Sequence, residues 1–417
     1  MEFQRNLSEK SVKRAHDAFE QLEKTKGVER SNVVKAMAKA IKNSFDAILE
    51  ANTVDLETSR EMAVPEVIVD WLKLTPERLE STVEILQVLA SLSDPVQRVI
   101  NAPYQLNPSQ TYSQLMPLGT IAFIYEGFPE LAAIAAGFAL KSGNSVVLRG
   151  SSEASHSNAI VAEILKTVLE DVGLPISCIE VISSEHGTSL SDLVTQDQYL
   201  NLIVPYGRPS LIQQVSQLAT APVLRSAMGN CYLYWSESGN IDLVRSMILA
   251  SHASQPDKVN AIEKVVVNAT QKPSTLVRLF NTLQEEGYEL RGEKLLVEEF
   301  PEHLKPMKTS EWENPYFKKT IAFKRVENID EAIAFINKHS SSHADCLVTN
   351  SYEESRQFAT QIESALVYIN CSSRFYRNPG NGESVFLGIS NQKGHRRGLI
   401  GLETFTTVKQ VVQGYEI

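Results

Sequence analysis

The sequence predicts an α/β fold with a doubly wound parallel sheet, and two observations support this prediction. From Leu118 onward, short apolar strands alternate with helical segments, which is typical of a sheet covered by helices on both faces. A second series of strands and helices follows from Cys231. The chain has 417 residues, more than one hydrophobic core usually holds, so we expect two or three domains.

The first part of the chain predicts helices. From residue 7 to about residue 93, apolar positions recur at intervals of three and four residues, and glycine is almost absent. Pro65 and the segment Thr75-Pro76-Glu77 mark breaks between helices, and Asp94-Pro95-Val96 ends the region. Residues 101–116 alternate polar and apolar side chains, which predicts a projecting β-hairpin.

Two α/β segments follow. In the first we expect strands at 120–125, 145–148, 178–182, 200–204 and 223–224, and helices at 131–141, 153–171 and 209–219. In the second we expect strands at 231–235, 264–268, 319–323, 344–349 and 366–370, and helices at 243–251, 275–286, 329–338 and 353–363. The closing segment 404–412 alternates like a strand, and we expect it to pair with the hairpin.

Composition and charge argue against several classes of protein. The net charge of −10 argues against a protein whose main role is to bind nucleic acid. The cysteines are scattered without a Cys-x-x-Cys pair, so we expect no metal site, no disulfide framework and a reducing compartment. The best apolar run, 131–140, has about half of the roughly 20 residues that a membrane span needs. We therefore expect a soluble cytoplasmic protein that binds a small molecule.

Two loops that follow predicted strands are candidates for binding a dinucleotide. Gly207 precedes a predicted helix whose first N–H groups would face a pyrophosphate, although the match to Gly-x-Gly-x-x-Gly is poor and an ordinary strand–helix loop is the commoner explanation. Arg149, Ser151 and Glu153 follow another strand, where the arginine and serine would hold ribose hydroxyls or a 2′-phosphate. The alternative for this second loop is a solvated turn that caps a helix.

Three further segments carry reactive or charged side chains. His343 and Asp345 stand two residues apart at a strand start, as a catalytic pair or, more commonly, as a hydrogen-bonded structural pair. Residues 394–398 read Gly-His-Arg-Arg-Gly and would bind phosphate, but a solvated basic loop or a subunit contact is the commoner explanation. Cys371 is the only thiol at a strand end followed by polar residues, although free cysteines are more often buried and inert than reactive.

Short segments along nearly the whole chain occur, in the same order, in one known family. They are Ala51-Asn52 with Asp55, Leu74-Thr75-Pro76, Asp94-Pro95-Val96, Pro117-Leu118-Gly119, Ile124-Tyr125-Glu126, Lys141-Ser142-Gly143-Asn144, Leu148-Arg149-Gly150, His343-Ala344-Asp345, Val367-Tyr368-Ile369-Asn370, Ser373-Arg374-Phe375, Gly388-Ile389-Ser390, Gly401-Leu402-Glu403 and Thr406-Thr407-Val408-Lys409. On these segments the chain resembles the γ-glutamyl phosphate reductase (glutamate-5-semialdehyde dehydrogenase) family, a branch of the aldehyde dehydrogenase superfamily.

The resemblance implies an aldehyde-dehydrogenase-like α/β fold with a Rossmann-type cofactor domain, a second α/β domain of catalytic type and a small oligomerisation hairpin. It assigns NADPH to residues 1–100 and 117–228 and the catalytic segment to residues 229–366. Residues 101–116 and 367–417 would form the oligomerisation hairpin, the C-terminal strand and a pocket-closing loop. A dimer or higher homo-oligomer is expected.

The resemblance also implies an activity, since the family reduces γ-glutamyl phosphate with NADPH to glutamate 5-semialdehyde in proline biosynthesis. A cysteine thiolate displaces phosphate and forms a thioester, which hydride reduces to a thiohemiacetal that releases the aldehyde. Asn260, Asn370 and Arg374 fall in matched motifs and are candidates for binding the substrate.

The position of the family's nucleophile holds Val259 in this chain. The family motif Gln-Arg-Pro-x-Thr-Cys-Asn corresponds to Ser254-Gln255-Pro256-Asp257-Lys258-Val259-Asn260, with the register fixed by Pro256, Asn260 and Glu263. A valine side chain has no lone pair and no ionisable proton, so it cannot form the covalent intermediate. The ordinary thioester route is therefore expected to be lost.

Further departures affect polar family positions. Phe128 replaces an arginine that is a candidate for holding an anionic substrate, and Tyr206 replaces the arginine of the phosphate-binding loop. Pro315 stands where the family carries a glutamate before an aromatic residue. Phe386 replaces another glutamate, unless Glu383 substitutes for it in this longer loop.

Two hypotheses follow for the function. In the first, the chain is a reductase in which Cys371, or a direct hydride transfer without a thiol, replaces the missing chemistry. In the second, it is a non-catalytic paralogue that binds a nucleotide or metabolite, or that assembles as a regulatory subunit with an active relative. Either hypothesis allows weakened NADPH binding through Arg149 and the Gly207 loop, and the choice between NADPH and NADH stays open.

Overall fold

The computed structural model describes residues 2–106, 109–183, 189–253, 258–380, 384–394 and 396–414, with side chains from residue 8 onward. The chain divides into two compact units. The first unit comprises Met1–Ser226, Arg377–Gly388 and Leu399–Ile417, and the second comprises Ala227–Tyr376 and Ile389–Gly398. Within the described ranges, no helix combines the length and the apolar character that a bilayer crossing requires.

The first unit begins with five helices, as the apolar periodicity predicts. They are α1 (Glu2–Leu22), α2 (Gly27–Asn43), α3 (Phe45–Glu61), α4 (Glu66–Leu72) and α5 (Pro76–Ser91). The start of α5 shows how local sequence sets these boundaries. Pro76 occupies the first helical position, where its missing N–H costs nothing, and the Thr75 hydroxyl accepts the backbone N–H of Arg78.

A series of strands and helices follows in the first unit, and four of the strands form a parallel sheet. The elements are β1 (Val99–Asn101), β2 (Gln110–Pro117), β3 (Thr120–Tyr125), α6 (Leu131–Lys141), β4 (Ser145–Arg149), α7 (Ser155–Asp171), β5 (Ile179–Val181), α8 (Leu190–Val194), β6 (Leu202–Tyr206) and α9 (Pro209–Leu218). Strands β3 to β6 pair in the order β5-β4-β3-β6, all parallel. Alternate side chains such as Ala122, Ile124 and Val147 pack against α1, α8 and α9. The strand predicted at 223–224 is instead a single bridge between Ile203 and Val223, because the extended segment is too short to continue the ladder.

Two polar residues of α3 fasten neighbouring segments of the first unit. The Asn52 side chain donates to the carbonyl of Leu72 and accepts the N–H of Leu74. Asp55 accepts backbone N–H groups from the first turn of α7. Both residues are buried, so these family-motif positions have a structural role in positioning α7.

The second unit is built on a seven-stranded parallel sheet. Its elements are β7 (Cys231–Trp235), α10 (Ile241–His252), β8 (Ile262–Asn268), α11 (Pro273–Glu285), β9 (Glu289–Gly292), α12 (Lys294–Glu299), β10 (Lys305–Pro306), β11 (Thr320–Val326), α13 (Ile329–His339), β12 (Ala344–Val348), α14 (Tyr352–Gln361), β13 (Leu366–Ile369) and β14 (Ile389–Ser390); β15 (Gly398–Leu399) follows at the unit boundary. The strand order is β10-β9-β11-β8-β7-β12-β13. Helices α10 and α11 pack on one face of this sheet, and α13 and α14 pack on the other.

A separate three-stranded antiparallel sheet completes the first unit. The last strand, β16 (Thr406–Gln413), pairs with β2 along eight residues, and β1 pairs with the opposite edge of β2. The predicted pairing of the C-terminal strand with the hairpin is therefore confirmed. In the order β1-β2-β16, the strand β16 lies at an edge.

Candidate active site

The candidate cofactor-binding residues lie at the carboxyl edge of the sheet in the first unit. Arg149 ends β4, Ser151 and Glu153 follow it, and Gly207 follows β6. Between these two strands lies the end of β3, where the N–H of Gly127 donates to the Ser151 hydroxyl at 3.4 Å. Strand order reverses between β3 and β6, which is the point at which open α/β sheets bind ligands. The structure thus brings the two predicted loops to one edge.

Arg149 is half-buried at the end of β4. Burial lowers the pKa of its guanidinium from its ordinary value. The adjoining Gly150 has no room for a side chain, because an added Cβ would lie 2.1 Å from Nδ2 of Asn158. Asn158 is itself held by the Tyr125 hydroxyl, which donates to Oδ1 at 2.8 Å. The backbone beside Arg149 is therefore fixed by close packing.

The Gly207 loop is occupied by a carboxylate from the neighbouring strand. Glu126 accepts the backbone N–H of Arg208 at 3.0 Å and the Nε–H of the same arginine at 2.9 Å. Gly207 has φ +149°, and an added Cβ would lie 2.8 Å from Cβ of Glu126. Glycine is required here because Glu126 packs against the loop, a contact that the sequence pattern does not reveal.

Two of the positions that depart from the family pattern contact each other in the core of the first unit. Phe128 and Tyr206 are almost fully buried, and their rings meet edge to face with centroids 5.9 Å apart. Phe128 also stacks on Trp71 at 4.9 Å. Nη2 of Arg377 donates to the Tyr206 hydroxyl at 2.7 Å, and the half-buried Phe386 donates its N–H to the carbonyl of Arg377. Aromatic packing thus occupies positions 128 and 206.

Val259 lies in the second unit, in the segment between α10 and β8, and is fully buried. Its carbonyl oxygen accepts the N–H of Gly229 at 2.8 Å and Nε2–H of His343 at 2.9 Å. The next residue, Asn260, donates from Nδ2 to the Tyr368 hydroxyl at 3.3 Å. Oδ1 of Asn260 is buried without a hydrogen-bond partner among the described residues. The backbone at Val259, the position predicted for the family's nucleophile, is therefore held in place.

His343 and Asp345 are both fully buried, and each binds different partners. His343 bonds to the Val259 carbonyl, and its Nδ1 lies 2.8 Å from the Ser341 hydroxyl. Burial lowers the pKa of His343 to about 4 and raises that of Asp345 to about 6. Asp345 accepts the N–H of Tyr232 at 2.7 Å. The prediction that His343 and Asp345 bond to each other is wrong, because each side chain anchors a separate backbone segment.

The four cysteines differ in exposure. Cys178, Cys231 and Cys346 are buried, whereas Cys371 is exposed just after β13. Burial raises the pKa of Cys178 to about 12 and raises the pKa values of Cys231 and Cys346 well above the ordinary value. Sγ of Cys231 lies 4.0 Å from the carbonyl oxygen of Val259 and 3.4 Å from Nε2 of His343. Its burial keeps it a thiol, which is a poor nucleophile.

The segment that carries Cys371 is fastened to the nucleophile position. The hydroxyl of Ser373 donates to the carbonyl of Asn260 at 3.0 Å. Asn370, predicted to bind substrate, has φ +54°, and its side-chain amide accepts the N–H and donates to the carbonyl of Thr349. Asn370 therefore uses its polar atoms to link the end of β13 to Thr349, the residue that follows β12.

Arg374 differs from Asn370, because it forms no ion pair with a described residue. Its guanidinium lies 4.8 Å above the Tyr376 ring, and its Nε is buried without a partner among the described side chains. The side chain is half-buried. Because it has no ion pair among the described residues, the Arg374 guanidinium is suited to bind a carboxylate or phosphate group.

Glu263, which in the sequence only fixes the register of the motif around Val259, has a central role in the second unit. Its buried carboxylate accepts the backbone N–H groups of Asn230, Tyr316 and Phe317 at 2.7–3.0 Å. Next to it, the buried Lys264 places Nζ 3.7 Å from the centroid of the Tyr316 ring, and burial lowers its pKa to about 8. The signal in the sequence that could have shown this role is the presence of two charged residues, Glu263 and Lys264, inside the otherwise apolar β8.

The loop that includes Pro315 is the one held by Glu263. Pro315 is half-buried, and its Cβ lies so close to Gly229 that an added Cβ there would approach it to 2.7 Å.

Residues 254–257, Glu383 and His395 lie outside the described residues. Among the residues that are described, no group of three or more His, Cys, Asp or Glu side chains is arranged to hold a metal ion.

Comparisons with known proteins confirm the predicted family and fold. The chain matches the aldehyde dehydrogenase family over residues 2–283 and 310–411. It is 56% identical over 400 residues to gamma-glutamyl phosphate reductase 2 of Synechocystis sp., covering 96% of this chain and 95% of that protein. It is 37% identical to gamma-glutamyl phosphate reductase of Gloeobacter violaceus, over 92% of this chain and 91% of that protein.

A solved structure gives the same result. The crystal structure of gamma-glutamyl phosphate reductase from Thermotoga maritima superposes with a TM-score of 0.87 at 32% identity, covering 98% of this chain and 99% of that chain. The chain therefore belongs to the γ-glutamyl phosphate reductase family, a branch of the aldehyde dehydrogenase family, and has its α/β fold.

Proposed function

We propose that the chain catalyses the NADPH-dependent reduction of L-glutamate 5-phosphate to glutamate 5-semialdehyde, with release of phosphate, as a step of proline biosynthesis. The observation that carries this proposal is the similarity to gamma-glutamyl phosphate reductases over nearly the whole chain. The hydrogen bonds that hold Val259 and Asn260 add support, since they keep the backbone of the nucleophile position ordered.

The ordinary thiol is missing, so we propose that Cys371 carries the acyl group. It is the exposed cysteine among the four, and Ser373 ties its segment to Asn260. The Cys371 thiolate would attack the acyl carbon and break its bond to phosphate, which leaves a thioester. NADPH supplies the hydride that reduces this carbon, after which the carbon–sulfur bond breaks and the aldehyde leaves. Arg374 would bind an anionic group of the substrate.

Turnover of the purified chain tests this proposal. The reverse reaction, with glutamate 5-semialdehyde, phosphate and NADP⁺, is followed by the absorbance of reduced nicotinamide. Cys371→Ser is expected to lower the rate at least about 100-fold, because loss of a covalent nucleophile leaves only positioning and electrostatic contributions. Cys178→Ala, which removes a buried thiol of the first unit, is the control and should keep the parent rate. A parent rate that is unchanged in Cys371→Ser contradicts the role of Cys371.

A second candidate function is a non-catalytic, nucleotide- or metabolite-binding paralogue, or a regulatory subunit that assembles with an active relative. The specific observation in its favour is the buried Val259, with the nearby thiols of Cys231 and Cys346 kept protonated by burial. Here the parent chain shows no turnover, and Val259→Cys gains it. Parent turnover that depends on Cys371 contradicts this second candidate.

For the cofactor, we propose that NADPH binds at the carboxyl edge of the first sheet through Arg149, Ser151, Glu153 and the Gly207 loop. A guanidinium at a strand end and an adjacent helix start suit phosphate groups. The fit is incomplete, because Glu126 already accepts the N–H of Arg208, so weak binding is expected. Isothermal titration calorimetry measures it, and the absence of heat at millimolar nucleotide contradicts the proposal.

We also propose that residues 101–116 and 367–417 contribute to a dimer or higher oligomer, with residues 1–100 and 117–228 serving the cofactor and residues 229–366 forming the catalytic-type domain, to which Cys371 and Arg374 add their side chains. The edge strand β16 supports this, because Val408 and Val412 are each 47% exposed on it. Sedimentation velocity compares the parent with Val408→Lys. Oligomers are expected for the parent and a shift toward monomer for the variant.

A further inference from the structure

The ion pair between Glu126 and Arg208 in the first unit takes no part in the proposed reaction. The Glu126 carboxylate accepts the backbone N–H and Nε–H of Arg208, and its other oxygen contacts Nη2 of the same arginine. The N–H of Glu126 in turn donates to the carbonyl of Tyr206 at 3.0 Å. Glu126 is therefore attached to the loop after β6 by its backbone and by both carboxylate oxygens.

The position of this carboxylate at α9 gives the contact its significance. Arg208 directly precedes Pro209, the first residue of the ten-residue helix α9. Proline has no N–H, so the N–H of Arg208 is a leading donor at this helix start. Helix starts attract negative charge, and a nucleotide phosphate binds such a start through backbone N–H groups. Glu126 makes here the contact that a phosphate would make.

We propose that Glu126 is an internal anion that competes with the phosphate groups of a bound dinucleotide, so that the cofactor binds only when Glu126 leaves the Arg208 N–H. This inference rests on the proposed cofactor site. A carboxylate and a phosphate cannot share one donor, and their like charges repel at close range. Glu126 thus sets the affinity of the loop for anions.

In this proposal, Arg208 exchanges Glu126 for a phosphate group when the dinucleotide binds. With Glu126 in place, the Arg208 guanidinium is neutralised, and Glu153 adds a second negative charge within electrostatic reach of it. When a phosphate displaces Glu126, the same N–H and guanidinium become donors to the phosphate. The Arg208 side chain is 40% exposed and the Glu126 side chain 14%, so the pair lies close enough to solvent for such an exchange.

Binding measurements on the full-length chain test the proposal without relying on catalysis. Inorganic pyrophosphate and NADPH are titrated separately into the parent and into Glu126→Gln, which keeps the shape and removes the charge. The variant is expected to bind both about tenfold more tightly, because one repelling charge is removed beside the site. Glu163→Gln, which removes an exposed carboxylate of α7, is the matched control and should bind like the parent.

The outcomes are distinct. Equal affinity in the parent and Glu126→Gln overturns the competition and leaves the cofactor proposal standing. Weaker binding in the variant overturns it too, since Glu126 would then assist the ligand. No binding by any form overturns both proposals. A double variant, Glu126→Gln with Arg208→Ala, should lose the tenfold gain, and thermal melting of each variant confirms that it is folded.

Discussion

The substitution Glu263→Gln tests the central anchor of the second unit. The carboxylate holds two separate loops, because it accepts N–H groups from Asn230 on one side and from Tyr316 and Phe317 on the other. Asn230 and Phe317 both have positive φ, at 56° and 54°. Such backbone conformations persist only where the surroundings enforce them, and Glu263 is part of that enforcement.

The geometry sets the size of the effect. Two of the three donors share Oε2, and Phe317 alone binds Oε1. A glutamine oxygen in the Oε2 position keeps two bonds, but its NH₂ group then faces the Phe317 N–H, and the stranded donor costs about 1–3 kcal/mol. The two bonds that remain lose their charged acceptor and weaken. Relief of the burial that raises the pKa of Glu263 offsets part of this loss, so a net decrease of about 2 kcal/mol in unfolding free energy is expected.

Urea denaturation followed by circular dichroism measures this change. Glu298→Gln is the control, since the ion pair of Glu298 with Lys294 is exposed and is expected to contribute a few tenths of a kcal/mol. A loss below about 0.5 kcal/mol for Glu263→Gln, within the range of ordinary surface substitutions, refutes the reasoning.

Three other predictions concern stability. Phe128→Ala should cost about 3–5 kcal/mol, because it removes a fully buried ring from between Trp71 and Tyr206, and denaturant midpoints will measure it. Gly207→Ala should cost about 1–3 kcal/mol, since the added Cβ meets Glu126 at positive φ, and an unchanged melting temperature would contradict this. Burial lowers the pKa values of His252 and His343 to about 4, below the value of about 6.5 in the unfolded chain, so their contribution is present above pH 6.5 and is lost as the pH falls toward 4. Asp345 acts oppositely, because its pKa is raised to about 6: its contribution is present below about pH 4 and lost as the pH rises through 6. Burial also lowers the pKa of His339 and raises that of Glu263, so three histidines act against two carboxyl groups. Unfolding free energy should therefore fall on acidification, and His343→Gln should make the decline shallower.

The sequence predicted the continuously apolar strands of the fold better than the short strands that carry charged residues. β3 and α6 were predicted to the residue, because continuous apolar runs bounded by Gly and Pro leave few alternatives. β9 was missed, since Glu289–Gly292 is short, alternates charged residues with one leucine and ends in glycine. Its pairing with β11 depends on residues about 30 positions away, which local patterns do not report.

For the candidate site, the sequence predicted which segments contribute but not which residues bond to one another. The loops at Arg149 and Gly207 were found from strand–loop–helix patterns, and the structure places both at one sheet edge. The occupation of the Arg208 N–H by Glu126 was not predictable, because it joins residues 82 positions apart. The pairing of the Asn370 side-chain amide, through its oxygen and its nitrogen, with the backbone of Thr349, 21 positions away, likewise follows only from tertiary structure.

The edge-to-face contact between Phe128 and Tyr206 limits how this protein can change. A guanidinium introduced at position 128 alone would be buried against two aromatic rings and would cost several kcal/mol without a partner. Substitutions at contacting buried positions are not additive, so the cost of an arginine at either position depends on the residue at the other. Single substitutions that introduce charge at these two positions are therefore costly, and the effects of changes at the two positions on stability are coupled.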